Sequence, residues 1–305
     1  MDVIVDEGLA EANNTRLGYL RTGRGQRPVV FLHGWPQTSY AWRRVLPLLG
    51  DEYSAIAFDL RGIGRSAPAR AGFDKATMAE DVLSALESLR VRRPVLVGHG
   101  VGAMVAYALA RRRPGELAGL MLVDTPLPGL PGWAEAEASS AAWHLAFHRV
   151  SDQGDALAEA LVRDREAVYF RSFIDRFAAR PEAIADLDIA EYVRGYRGSG
   201  RLEAGFEMYR ALPVDAADNH GQRDRLALPI LAVLGEFSCG SLAYTIAEGL
   251  RAAGATDVRT AIIDECGHWP AEEQPAALAE IIGQFAGRVC DRAADFLGMT
   301  AEPTD

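Results

Sequence analysis

The chain has 305 residues, of which 49% are hydrophobic and 24% are charged, a composition typical of a globular protein with a large core. Its formal net charge is −10, and no basic run is longer than Arg111-Arg112-Arg113, so the sequence lacks the electrostatic signature of a nucleic-acid-binding or anionic-membrane protein. These features favour a small molecule as the partner and leave a homodimer open.

Short runs rich in valine, isoleucine and leucine alternate along the chain with segments of helical periodicity. This alternation is typical of a mainly parallel sheet with helices on both faces, because crossover helices connect parallel strands. The sequence therefore predicts an α/β fold. The predicted strands are, in chain order, residues 16–21, 29–32, 54–58, 94–97, 119–123, 230–234 and 258–263.

The interval from about Leu127 to Leu226 interrupts this alternation. It is rich in helix formers and aromatic residues, has helical periodicity over residues 155–177, and shows no strand pattern. We therefore expect a helical cap, residues 127–226, inserted into a core formed by residues 1–126 and 227–305. After Arg288 we expect a short helix and a frayed chain end.

The cysteines and the first residues predict the compartment. The three cysteines are widely spaced and odd in number, which fits a reducing environment better than a disulfide framework, and their spacing predicts no metal site. The acidic segment from Met1 to Glu7 lacks a basic stretch followed by an apolar run, so we expect no secretory signal. The longest uncharged run, Pro94 to Ala110, is shorter than the roughly 20 residues that a membrane span needs. The sequence therefore predicts a cytoplasmic protein without metal or cofactor.

The run from Arg93 to Tyr107 predicts a buried strand, a sharp turn and a helix. Its turn, Gly98-His99-Gly100-Val101-Gly102, has the spacing of a nucleophile elbow, in which a strained turn lifts one side chain above the sheet. Gly100 stands at the nucleophile position, where glycine relieves the strain but supplies no attacking atom. A loop in an unrelated α/β protein can carry the same glycines, so this turn alone leaves the family open.

Four motifs follow one another in a specific order: His33-Gly34-Trp35-Pro36, the run from Asp59 to Ser66, the elbow at Gly98, and Gly267-His268-Trp269-Pro270. With these motifs the sequence resembles, over nearly its whole length, α/β-hydrolases of the epoxide hydrolase and haloalkane dehalogenase branch. The resemblance implies the α/β-hydrolase fold, with a mostly parallel central sheet flanked by helices and an inserted helical cap. In that branch the elbow residue is aspartate, and this chain departs from the pattern at Gly100.

The chemistry of this branch has two steps. A carboxylate opens an epoxide or displaces a halide to form an ester, and water activated by a histidine then cleaves the ester. The resemblance implies that His268 is the general base. Asp124 and Glu236 each follow a predicted strand and are the two candidates for its orienting acid. In the family pattern the loop that begins with Glu236 carries its acid two positions later, where this chain has Ser238. This serine favours Asp124 as the orienting acid.

The same resemblance implies two oxyanion donors, the backbone N–H groups of Trp35 and Val101, which do not depend on the side chain at Gly100. Asp124 also has a structural interpretation, since it is able to cap the turn before Pro126. Cys266 lies two positions from the histidine of the last motif, but it is off the elbow, and we interpret it as a packing residue.

An epoxide also needs a donor for the alkoxide that forms as the ring opens. In one bacterial group of epoxide hydrolases this donor is a histidine and tyrosine pair, and the resemblance assigns the pair to His144 and Tyr209. Other residues of the same types remain open for these roles: His148 for the histidine, and Tyr169, Tyr192 or Tyr196 for the tyrosine.

The predicted function is therefore that of an epoxide hydrolase-like enzyme for a small organic epoxide. Gly100 makes it either an inactivated variant or an enzyme in which His268 and Asp124 activate water that attacks directly. A haloalkane or haloacid dehalogenase is the first alternative, with the Trp35 indole as a halide donor. A ligand-binding or non-hydrolytic protein that uses the same pocket is the second.

Overall fold

A central sheet organises the protein, for which a computed structural model describes residues 6–139, 142–150 and 156–296. Within these residues the sheet has eight strands: β1 (Asp6–Ala12), β2 (Thr15–Thr22), β3 (Arg27–Leu32), β4 (Tyr53–Phe58), β5 (Val95–His99), β6 (Gly119–Val123), β7 (Ile230–Gly235) and β8 (Val258–Ile263). Their spatial order is β1-β2-β4-β3-β5-β6-β7-β8. The pairs β1 with β2 and β2 with β4 are antiparallel, and the other neighbours are parallel. The predicted, mostly parallel α/β sheet is confirmed.

The strands β4 to β7 are buried at every position. Their sequences are nearly continuous apolar runs, as expected for parallel strands covered by helices on both faces. All seven strands predicted from the sequence are present, and the six neighbouring parallel strands from β4 to β8 in the sheet order place their carboxyl ends along one edge. Loops that leave this edge carry the candidate site.

Strand β1 was not predicted. Four of its seven residues are exposed and Ala10 is its only buried position, so it lacks the apolar run that marks the other strands. It forms because the turn at Asn13 and Asn14 pairs it with β2, and Asn14 adopts a φ of 53°. Asparagine accepts this left-handed conformation more easily than most residues, which allows the tight hairpin.

Helices cover both faces of the sheet. The described part of the chain between β6 and β7 is helical, which we call the insertion. Its seven helices are α3 (Trp133–Ala138), α4 (Trp143–Arg149), α5 (Leu157–Val162), α6 (Glu166–Phe177), α7 (Asp186–Tyr196), α8 (Arg201–Arg210) and α9 (Leu212–Asn219). Before it lie α1 (Lys75–Ser88) and α2 (Val101–Arg112), and after it α10 (Ala243–Ala252), α11 (Pro270–Glu273) and α12 (Pro275–Phe296).

Two predicted helices have different bounds in the structure. The periodic stretch 155–177 is divided into α5 and α6, because Asp164 between them has a φ of 64°, which no helix contains. Position 155 lies outside the described residues. The helix expected after Arg288 is the continuation of α12, which runs to Phe296, and the chain end from 297 onward is also outside the described part.

The insertion packs over the carboxyl ends of the strands through one aromatic side chain and two ion-pair clusters. Trp35, which follows β3, contacts rings from α4, α6, α7 and α8. Asp188 of α7 pairs with Arg43 at 2.6 Å, and Asp215 of α9 pairs with Lys75 at 2.6 Å. Among the described helices none is long and apolar enough to cross a membrane.

Candidate active site

The turn between β5 and α2 has the geometry of a nucleophile elbow. Gly100 stands at its apex with φ 54° and ψ −122°, a conformation that costs a residue with a side chain on the order of 1–3 kcal/mol. A Cβ on Gly98 would lie 2.6 Å from Ala103 Cα, and a Cβ on Gly102 would lie 2.6 Å from the His33 carbonyl oxygen. Both contacts are shorter than van der Waals distance, so the turn requires glycine at these two positions.

A side chain at Gly100 would point at the predicted base. An ideal Cβ there would lie 4.0 Å from His268 Nε2 and 3.3 Å from Gly34 Cα, with no other atom of the described structure within 4 Å outside the immediate chain neighbours. The apex of the elbow therefore faces open space next to an imidazole nitrogen.

His268 and Asp124 form a close pair. His268 Nδ1 lies 2.6 Å from Asp124 Oδ2, and the His268 backbone N–H donates to the carbonyl of Phe177 at 2.8 Å. The carboxylate is fully buried, whereas 22% of the imidazole is exposed. Because the carboxylate accepts from Nδ1–H, the lone pair of the imidazole is on Nε2, the nitrogen that faces Gly100.

The Asp124 carboxylate is held by several donors. Gly235 N–H donates to Oδ1 at 2.8 Å, and the Ser238 hydroxyl donates to Oδ2 at 2.6 Å. Burial raises the pKa of Asp124, but the hydrogen bonds and charge of His268, together with the bonds from Ser238 and Gly235, bring this pKa below its usual value. The group is therefore a carboxylate at neutral pH.

Glu236, the other candidate acid, lies elsewhere. Its carboxylate accepts from the backbone N–H of Glu265 at 2.9 Å on the surface. Ser238 contributes in a way that the sequence did not indicate, because its hydroxyl donates to the Asp124 carboxylate. The structure thus brings Asp124, and not Glu236, to His268.

His99 of the elbow is a second supporting residue that sequence reasoning missed. Its Nε2 donates to the carbonyl oxygen of His268 at 2.7 Å. Burial and the neighbouring His268 lower the pKa of His99 to about 3, so the ring is neutral and its N–H fixes the loop that carries the base. Its place in the middle of the elbow was the only available signal.

The predicted oxyanion donors border the same space. Neither the Trp35 nor the Val101 backbone N–H has an acceptor among the described residues. Gly34, which precedes Trp35, provides the closest atom to the Cβ position of Gly100. The two N–H groups therefore retain the capacity to bind an oxygen atom at the elbow.

The Trp35 side chain is directed into the insertion. Its ring centroid lies 4.3 Å from that of His148 and 4.9 Å from that of Phe173. Its buried Nε1 has no hydrogen-bond partner in the described structure, and a Cβ on Gly205 of α8 would lie 2.6 Å from it. The indole N–H thus faces the backbone of α8.

His144 and Tyr209 are neighbours. Their rings are perpendicular, with centroids 6.1 Å apart. His144 also contacts Phe177, at 5.2 Å between centroids, and Phe177 contacts His268 at 6.1 Å. Burial raises the pKa of Tyr209, so its phenol keeps its proton. The predicted pair thus lies one aromatic ring away from the predicted base.

The other candidates for these roles have different partners. His148 Nε2 and the Tyr169 hydroxyl are 2.7 Å apart. The Tyr192 hydroxyl bonds to the Glu272 carboxylate, and the Tyr196 hydroxyl donates to the Gln37 carbonyl at 3.1 Å. The hydroxyl groups of Tyr169, Tyr192 and Tyr196 are therefore already engaged within the protein.

The Cys266 thiol is buried and donates to the Gly267 carbonyl at 3.4 Å, and burial raises its pKa. No group of three or more histidine, cysteine or acidic side chains in the described ranges is placed to hold a metal ion.

A histidine and carboxylate pair that faces a strand-to-helix elbow, at the carboxyl edge of a mainly parallel sheet, defines a hydrolase of the α/β class. Residues 29–281 match the model of the Alpha/beta hydrolase family. The chain therefore belongs to the alpha/beta hydrolase family, and it lies in the epoxide hydrolase branch.

Individual relatives agree with this assignment. A soluble epoxide hydrolase of Corynebacterium sp. strain C12 is 32% identical over 282 residues, which cover 90% of this chain and 95% of the relative. The crystal structure of wild-type Cfl2 from Burkholderia cenocepacia has a TM-score of 0.81 at 35% identity, over 92% of this chain and 95% of that one. The ligand-free epoxide hydrolase CorEH has a TM-score of 0.83 at 28% identity, over 94% and 100%. The predicted α/β-hydrolase fold is thereby confirmed, and a chance resemblance of the glycine turn is excluded.

Proposed function

We propose that this protein is an epoxide hydrolase-type enzyme for a small organic epoxide, in which water activated by His268 and Asp124 attacks the substrate directly. The observation that carries the proposal is the distance of 4.0 Å between His268 Nε2 and the side-chain position of Gly100. A water molecule within hydrogen-bond distance of Nε2, about 2.8 Å, fits in this space because no carboxylate fills it.

The proton moves from water to His268. Nε2 takes a proton from the water as its oxygen bonds to one epoxide carbon and the ring C–O bond breaks. Asp124 holds Nδ1–H and stabilises the imidazolium that forms. The released oxygen takes a proton from Tyr209, which recovers one from His268 through solvent, and the product is a diol.

The insertion supplies the groups that an epoxide needs, and we propose that residues 127–226 act as the cap of the enzyme. Tyr209 and His144 contact each other, and His144 contacts Phe177, whose ring contacts that of His268. The raised pKa of Tyr209 keeps a phenolic proton available, and no described residue takes it up as an acceptor. A neutral hydrogen-bond donor of this kind suits a developing alkoxide.

Trp35 distinguishes epoxide from halide chemistry. A halide cradle requires the indole N–H to point at the leaving group near Gly100. Here that N–H faces Gly205 of the insertion within a cluster of aromatic rings. This orientation supports an epoxide as the substrate.

The test is diol formation from a panel of small epoxides by the native protein, Gly100→Asp and His268→Ala. We expect turnover by the native protein and loss of turnover in His268→Ala. In a single turnover in ¹⁸O-water, direct attack labels the diol, whereas Gly100→Asp delivers unlabelled carboxylate oxygen in its first turnover. Activity confined to Gly100→Asp would make the native chain an inactivated, epoxide-binding variant. If neither the native protein nor Gly100→Asp forms diol from any of the epoxides, the proposed substrate class is ruled out.

A further inference from the structure

The absent side chain leaves a defined space that we call the Gly100 notch, bounded by Gly100, Gly34 and His268 Nε2. An ideal Cβ in the notch would be 3.3 Å from Gly34 Cα and 4.0 Å from Nε2, and no other described atom outside the immediate chain neighbours lies within 4 Å of it. Gly100 has a φ of 54°, the left-handed conformation in which a nucleophile elbow directs its side chain into this space. The backbone geometry for a nucleophile thus persists without one.

The groups that border the notch are suited to an anion. The backbone N–H groups of Trp35 and Val101 lack acceptors within the described structure. Asp124 lies on the opposite side of the imidazole, where hydrogen bonds from Ser238 and Gly235 occupy its oxygens. The notch therefore offers two N–H donors to an anion, while the lone pair on His268 Nε2 faces the space from which water approaches.

We propose that the Gly100 notch is a binding site for a small carboxylate, formate above all, which takes the place of the missing aspartate carboxylate. The size preference follows from bonding. A covalent carbon–carbon bond is about 1.5 Å long, whereas two carbon atoms that are not bonded stay about 3.5–4.0 Å apart. A methyl group of acetate at the Cβ position would collide with Gly100 Cα, so acetate and propionate stay further from the place of the aspartate carboxylate than formate, which has no methyl group.

The bound formate has a reaction open to it, which rests on the proposed epoxide function. One formate oxygen bonds to an epoxide carbon, the ring C–O bond breaks, and the released oxygen takes a proton from Tyr209. The product is a 2-hydroxyalkyl formate ester. Water activated by His268 then adds to the formyl carbon, and the ester C–O bond breaks to give the diol and free formate; the proton released from this water returns to Tyr209 through His268 and solvent. Formate is consumed in the first step and returned in the second.

Binding is measured first, without any epoxide. Formate titrations of the native protein, followed by saturation-transfer NMR of the formate proton, should saturate with a Kd on the order of 1 mM, because three non-hydrogen atoms allow no tighter binding. Acetate should bind at least about tenfold more weakly. Gly100→Asp places its own carboxylate in the notch and should abolish saturation, and Gly100→Ala should weaken it. Circular dichroism establishes that each variant is folded.

The outcomes separate the notch from the enzyme function. Saturable binding that Gly100→Asp removes supports the site, whether or not formate accelerates diol formation. If formate binds but the native protein forms no diol from any epoxide, with or without formate, the proposed substrate class fails and the anion site remains. Absence of saturation by the native protein, or equal saturation in Gly100→Asp, overturns the inference even when the native protein forms diol.

Discussion

The His268 Nδ1 atom and the Asp124 Oδ2 atom lie 2.6 Å apart, although the two residues are 144 positions apart in the chain. Asp124 follows strand β6 and His268 follows strand β8, and the strand between them, β7, carries the Gly235 N–H that holds the carboxylate. The pairing is thus a property of the sheet order. It persists although the third member of the usual arrangement, a nucleophile at Gly100, is missing.

Restoring a carboxylate at the elbow should restore a covalent intermediate. In Gly100→Asp the new side chain points toward His268 Nε2, and we expect an ester with an epoxide substrate, visible as a mass adduct by intact-protein mass spectrometry. The positive φ of Gly100 should make the variant less stable by about 1–3 kcal/mol in urea unfolding.

A double variant that carries Gly100→Asp and His268→Ala should accumulate this adduct, because the base that cleaves the ester is gone. The matched control is Gly100→Asn, which has nearly the same shape and strain but no carboxylate, and should form no adduct. No adduct with any epoxide in the double variant would contradict the placement of the elbow.

Ser238 should control the acid stability of the protein through Asp124. A carboxyl whose pKa is lower in the folded than in the unfolded protein stabilises the fold above its unfolded pKa, about 3.9. This contribution disappears as the pH falls through the folded value. Ser238→Ala removes one of the hydrogen bonds that lower this pKa, so the loss of stability on acidification should be smaller and should be complete at a higher pH.

At pH 7 we expect the same substitution to cost about 1.5–3 kcal/mol, the range for a hydrogen bond to a charged group. Urea unfolding between about pH 3 and pH 7 measures both effects. The control is Ser241→Ala, an exposed serine three positions further on. An identical pH profile for the two variants would mean that Ser238 does not bond to the ionised carboxylate.

Tyr209→Phe should slow ring opening without affecting the base. The phenol donates to the alkoxide only, so we expect diol formation to fall by about 100-fold, the lower range for one proton donor, while hydrolysis of an activated ester by the Gly100→Asp background is unchanged. Tyr169→Phe, which removes a hydroxyl engaged with His148, should have a much smaller effect on diol formation. The reverse order would assign the donor to Tyr169.

The strands and the turn at Gly100 could be predicted from the sequence, because each leaves a pattern in a short run of neighbouring residues. Apolar runs marked the buried strands, and the turn at Gly100 followed one of them. The resemblance to the hydrolase branch assigned the base to His268, and the position of Asp124 directly after a predicted strand made it the favoured partner. Strand β1 was missed because its stability comes from the hairpin partner, which its own residues do not reveal.

The side-chain partners in the insertion were not predictable in the same way. Periodicity identifies a helix, but short helices such as α4 and α8 meet at angles that are set by the whole packed cluster. The bond between His148 and Tyr169, and the contact between His144 and Tyr209, depend on those angles. The same holds for Ser238, where the sequence indicated only that an acid was missing.

The sole lysine of the chain should join the insertion to the core. Lys75 and Asp215 are 2% and 4% exposed, their charged atoms are 2.6 Å apart, and Lys75 Nζ also donates to the carbonyl of Met208, which precedes Tyr209. Burial lowers the pKa of Lys75 and raises that of Asp215, so each charge depends on the other. Lys75→Met should cost about 3–5 kcal/mol in urea unfolding, because it leaves a buried carboxylate without its partner.

Replacing both partners, Lys75→Met with Asp215→Asn, should recover part of that loss, since no uncompensated charge then remains buried. The exposed pair of Arg112 and Asp218, at 3.0 Å, is the matched control, and its removal should change stability by less than about 1 kcal/mol. If the double variant at Lys75 and Asp215 is no more stable than Lys75→Met alone, the two charges are not coupled. The ammonium would then act only on the carbonyls of Met208 and Phe73, a role in which Lys75→Arg should be able to replace it.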